Sequence, residues 1–76
     1  MQLRIKIDTI AKVKEFVSTA ASMPFDIALR AGRYVVDAKS LMAIFSLDLE
    51  SPIVAEFDSE DSEVIMEKFG KWEDCE

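Results

Sequence analysis

The sequence predicts an α+β open-faced sandwich: a four-stranded antiparallel sheet covered on one face by three helices, in the order βαββαβα. Three observations predict it. Apolar residues alternate with polar ones in short segments, they recur at three- and four-residue steps in others, and the two kinds of segment interleave along the chain. With 76 residues there is room for one modest core, so a single domain over residues 1–76 is expected. Half the residues are apolar and only two Gly and two Pro interrupt them, which excludes a disordered or low-complexity chain.

Leu3, Ile5 and Ile7 alternate with Gln2, Arg4 and Lys6, the pattern of a half-buried strand. After Asp8-Thr9 the period changes. Ile10, Val13, Phe16, Val17, Ala20 and Ala21 then mark one side of an amphipathic helix, which Asp8 or Thr9 can cap and Pro24 ends. Phe25, Ile27 and Leu29 give a second strand, Ala31-Gly32 a turn, and Arg33 to Asp37 a third strand, so that the two strands form a hairpin. Ser40 caps a short helix of seven or eight residues through Leu47, and Ser51-Pro52 opens a last strand, Ile53 to Phe57. Asp58 or Ser59 is expected to cap a final helix with Ile65, Phe69 and Trp72 inward. The acidic run from Glu60 to Glu63 sits in its first turn, where negative charge suits the helix dipole. The tail 73–76 reads as mobile, and Cys75 within it as a thiol that links two chains in air.

Composition removes most chemistry. There is no histidine and one cysteine, so no Ser-His or Cys-His pair, imidazole base or thiolate–imidazole metal cluster can form, and neither an enzyme nor a cofactor or metal site is expected. One cysteine cannot staple the fold internally. The charged opening lacks the apolar run of a signal peptide, and no apolar stretch approaches the roughly 20 residues of a membrane span. A cytoplasmic protein without membrane contact is expected. Residues 1–47 carry seven Lys/Arg and four Asp/Glu (net +3), residues 48–76 two and eleven (net −9), summing to −6. The acidic C-terminal half argues against direct nucleic-acid binding, while the positive half suits an acidic protein partner.

The stretch from Asp37 to Leu47 is the most informative. So short a helix cannot turn Leu41, Met42, Ile44, Phe45 and Leu47 all inward. At about 100° per residue Leu41, Ile44 and Leu47 share the inner stripe, and Met42 and Phe45 drift toward solvent. Exposed Met and Phe suit a protein contact, with Lys39 and Leu41 flanking it; the plainer alternative is that Phe45 folds back over the sheet edge. Ser40 has a structural role as a cap. A phosphate there would meet unpaired backbone N–H groups at the helix start, so phosphorylation is the functional alternative.

Ala38-Lys39-Ser40-Leu41-Met42, followed by Ile44 and Ser46-Leu47, resembles the regulatory-serine segment of HPr, the histidine-containing phosphocarrier of the bacterial sugar phosphotransferase system. Val13, Phe16, Val17 and Ala20-Ala21, then Asp26-Ile27, fall in register with that family, and the resemblance spans about residues 2–72. It departs in Ala43, where the family usually carries Gly, and in a connection from Asp48 to Pro52 that looks shortened. The larger departure is at the first helix. The family's phosphoryl-accepting histidine stands in a segment reading roughly Gly-Ile-His-Ala-Arg-Pro, whereas this chain reads Ile7-Asp8-Thr9-Ile10-Ala11-Lys12, with Thr9 nearest the histidine. A threonine phosphate is too stable to hand on, and the family's arginine is missing.

The resemblance implies a histidine-less HPr-like protein related to the phosphoenolpyruvate-dependent phosphotransferase system. It would be a regulatory protein-binding module switched through Ser40, with a phosphotransferase-system enzyme, a kinase or a transcription regulator as partner. Two alternatives stay open: a purely structural or interaction protein with both phosphorylation roles lost, and a phosphotransfer component using another acceptor, such as an acyl phosphate on Asp8.

Overall fold

The computed structural model describes residues 1–74; Cys75 and Glu76, and with them the expectation for the thiol, lie outside the described residues. The elements run β1 (Gln2–Ile5), α1 (Ile10–Ala21), β2 (Ile27–Ala31), β3 (Tyr34–Asp37), α2 (Leu41–Phe45), β4 (Ile53–Phe57) and α3 (Ser62–Phe69), and a 3₁₀ turn over Gly70–Trp72 ends the order. The strands form one antiparallel sheet in the order β1-β4-β2-β3. Its inner face supplies Leu3, Ile5, Ile27, Leu29, Ile53, Ala55 and Phe57 to the core, and the helices cover them with Val13, Phe16, Ala20, Ile44, Ile65 and Phe69. The predicted open-faced sandwich is the observed fold.

Aromatic rings fill the centre. Phe16 lies 5.3 Å from Phe69 and 5.2 Å from Trp72, and Phe57 lies 5.0 Å from Phe69, within the tilted and edge-on range that such pairs prefer. The outer sheet face is polar. The Arg30 guanidinium donates to both Glu56 oxygens at 3.1 and 3.3 Å, and the Gln2 amide donates to Glu56 at 3.1 Å.

The hairpin turns through Gly32 and Arg33, since Ala31 pairs with Tyr34. Gly32 has φ +60° and Arg33 has no positive φ, which is the type II′ arrangement with glycine first.

Several boundaries differ from expectation. The α3 cap is Asp61, whose carboxylate accepts from the Val64 N–H at 3.3 Å, rather than Asp58 or Ser59; the Ser59 hydroxyl instead accepts from the Asp61 N–H and shapes the approach. Trp72 is buried but reaches the core from the 3₁₀ turn after Gly70, not from α3 itself. Ile10 is 63 % exposed in the first turn of α1, and Ala21 is exposed at its end, so neither belongs to the inner face. Glu73 and Asp74 lie bonded along β1. Glu73 bridges Ile5, the Lys6 N–H donates to the Trp72 carbonyl at 2.8 Å, and the Asp74 N–H donates to the Arg4 carbonyl at 2.8 Å, because buried Trp72 delivers this segment to the outer edge of β1.

Candidate functional site

α2 starts where two backbone turns fix its approach. The Asp37 carboxylate accepts from the Lys39 N–H at 2.9 Å, and the Asp37 carbonyl accepts from the Ser40 N–H at 3.1 Å. Ser40, in extended conformation, then caps the helix: its hydroxyl accepts from the Ala43 N–H at 3.3 Å. The helix proper is Leu41–Phe45, shorter than predicted. Ser46 and Leu47 continue the coil through bonds to the Ala43 and Ile44 carbonyls, the tighter three-residue pattern common at helix ends.

The side chains divide as the spacing predicted. Ile44 is fully buried, Leu47 is buried and Leu41 is half-buried, while Met42 is 80 % and Phe45 39 % exposed. The structure therefore brings Lys39, Ser40, Leu41, Met42 and Phe45 together on and before one short helix. The Lys39 ammonium is not directed to open solvent: it donates at 3.3 Å to the Met23 carbonyl, tying the approach of α2 to the end of α1. That contact had no signal in the sequence, since it joins residues 16 positions apart.

At the start of α1, Thr9 is the N-cap, its hydroxyl accepting from the Lys12 N–H at 3.2 Å. Asp8 pairs with the Lys12 ammonium at 3.1 Å, and this hydrogen bond holds its carboxyl below the ordinary value of 3.8. Both oxygens nearest this helix start already have structural partners.

Among the described residues no group of three or more His, Cys, Asp or Glu could hold a metal ion, and no helix is long and apolar enough to cross a membrane. Open concavities lie over Ala28 between Asp26, Asp37, Glu56 and Asp58, and beside the β2–β3 turn between Tyr34 and Pro52. Thr9 and Ser40 line neither. The candidate site is the exposed side of α2, with Met42 and Phe45.

The fold defines the class. It is the HPr-like open-faced sandwich. Two solved structures with this architecture are similar to the chain: HPr-C-His from Thermoanaerobacter tengcongensis, at TM-score 0.74 and 24% identity over 93% of this chain and 85% of that one, and a phosphocarrier protein HPr from Bacillus anthracis str. Ames, at TM-score 0.73 and 24% identity over 97% and 96%. No protein-family model matches the chain, and no curated protein matches it. At this identity the likeness carries the fold.

Proposed function

We propose that this HPr-like chain is a regulatory protein-binding module related to the phosphotransferase system, which engages its partner through Lys39, Leu41, Met42 and Phe45 and is switched by phosphorylation of Ser40. The observation that carries the reading is the division of α2: Ile44 and Leu47 anchor it, while Met42, two residues after Ser40, stands in solvent and Phe45, on the next turn, is partly exposed. Methionine adapts to varied surfaces and phenylalanine anchors them, so this pair suits a protein partner. A phosphate on Ser40 would add about −1.5 to −2 charges beside that surface, enough to change which partner it accepts.

A phosphoryl relay at the start of α1 is disfavoured by chemistry. The chain has no histidine, and the Thr9 hydroxyl and Asp8 carboxylate are engaged as a cap and an ion pair. The reading of Ser40 as a cap alone has its own support in the bond to Ala43. Intact mass after incubation with ATP and a purified HPr kinase separates the two. One added phosphate on the parent, absent from Ser40→Ala, is the expected result. An unchanged mass removes the serine switch and leaves a fold retained for binding alone.

A further inference from the structure

The two edges of the sheet are treated differently. The outer edge of β1 is occupied by the segment from Trp72 to Asp74, which bonds to Arg4 and Lys6 and bridges Ile5. The outer edge of β3 is open along Tyr34-Val35-Val36: β3 pairs with β2, and among the described residues the backbone bond on its other side, from the Ser40 N–H to the Asp37 carbonyl at 3.1 Å, lies at the strand's last residue. Soluble proteins usually protect such an edge with a charge in mid-strand, a proline, a bulge or a covering segment. Here the middle of the strand is Tyr34-Val35-Val36, with Tyr34 67 % and Val35 51 % exposed.

The hairpin fixes which groups face outward. The pair closing a loop of this length, Ala31 and Tyr34, exchanges hydrogen bonds within the hairpin, and so does Leu29 with Val36. The N–H and C=O of Val35 therefore point away from β2. The Ala38 N–H bonds to Ile27, which continues the same alternation.

We propose that this edge pairs with a second copy of the same chain, β3 antiparallel to β3 across a two-fold axis at Val35, giving one continuous eight-stranded sheet. The register follows from complementarity. Centred on Val35, Arg33 of each copy stands opposite Asp37 of the other, Tyr34 opposite Val36, and Val35 opposite Val35: two opposite-charge pairs, two aromatic–β-branched pairs and one β-branched pair, all of kinds that stabilise adjacent strands. Other symmetric registers lose this. Centring on Arg33 or on Asp37 sets like charges face to face, and centring on Tyr34 or Val36 leaves neither charge opposite its complement. The strand is self-complementary in one register.

Sedimentation velocity on the full chain tests this, with reductant present so that Cys75 cannot link copies. The parent's weight-average mass is expected to rise from 8.6 kDa toward twice that value between about 10 µM and about 1 mM, the range of a weak dimer. Val35→Pro removes an outward N–H without touching the β2 ladder, and is expected to stay monomeric with an unchanged circular dichroism spectrum. Arg33→Glu faces Asp37 of the second copy with a like charge and should weaken association about tenfold or more. If Val35→Pro loses the native spectrum, Arg33→Glu, at an exposed turn position, decides alone. A parent that stays monomeric overturns the proposal and leaves the edge to an extended segment of another protein. Arg33→Glu associating as tightly as the parent, or a native-like Val35→Pro doing so, also overturns it, because the copies would then meet elsewhere.

Discussion

Replacing Ser40 by alanine tests whether the capping bond is the whole of this residue's structural role. Caps of this type contribute about 0.5–2 kcal/mol. The bond from the Ala43 N–H is 3.3 Å long, at the weak end of the range, which places the loss in the lower half, about 0.5–1 kcal/mol. The rest of the helix start survives the change, since the Ser40 N–H still donates to the Asp37 carbonyl and the Ile44 N–H to the Ser40 carbonyl. Buried Ile44 and Leu47 still anchor the helix. In equilibrium urea unfolding, with a slope near 1 kcal/mol per molar for so small a chain, the midpoint should fall by about 0.5–1 M. Ser40→Asp should recover most of it, because a carboxylate accepts the same N–H. A loss above about 2 kcal/mol would refute the assignment, showing that the hydroxyl does more than cap. No loss in Ser40→Ala would equally refute it, showing that the apolar anchors alone hold α2.

Met42→Gln should leave stability within about 0.5 kcal/mol, while Ile44→Ala two residues on should cost about 2–4 kcal/mol, both read from urea midpoints. Because the Lys12 ammonium lowers the Asp8 pKa in the fold, this pair adds stability in full above the unfolded carboxyl value and loses it as pH falls through the folded one. A carboxyl titration by NMR should show Asp8 below 3.8, and Lys12→Met should raise it. Gly32→Ala meets no atom within 4 Å, so its cost is backbone strain at φ +60° alone, about 1 kcal/mol, and thermal melts should show a small drop with the fold intact. Trp72→Ala should cost about 3–5 kcal/mol and free residues 73 and 74 from β1, seen as lost hydrogen-exchange protection at the Lys6 amide.

What the sequence shows plainly is what periodicity encodes. Alternation at Leu3-Ile5 and Ile27-Leu29 and the three-to-four spacing of Val13, Phe16 and Ala20 determine which face is buried, and with it the layer arrangement. The exposure of Met42 and Phe45 beside buried Ile44 follows from the same geometry. Contacts between distant segments leave no such trace. The Lys39 ammonium on the Met23 carbonyl and the cover over β1 depend on where helices end in space, which local pattern does not encode. Asp61 outcompetes Asp58 and Ser59 as a cap for a related reason: the Asp58 N–H is committed to the Asp26 carbonyl, which holds the chain extended past the end of β4 before α3 can begin.

Exposure at Met42 and exposure at Val35 have different physical causes, and the two surfaces are separable on that account. Met42 stands on a helix where Gln, Glu or Lys would serve about as well, and at 80 % exposure its side chain contributes little to the core. Folding does not require an apolar residue there, and a polar replacement leaves the core intact. Val35 and Tyr34 are different. β-Branched and aromatic residues favour the strand itself, and their exposure has a structural explanation without any partner. What singles out β3 is its backbone, with the Val35 N–H and C=O directed away from β2 and unpaired among the described residues, and with Arg33 and Asp37 spaced to answer each other across the proposed two-fold axis. A change at Met42 should therefore leave self-association untouched, and Arg33→Glu should leave α2 untouched. Asp37 joins the two regions, because its carboxylate also receives the Lys39 N–H that shapes the approach to α2. For that reason Arg33, which has no such second role, is the cleaner place to reverse a charge.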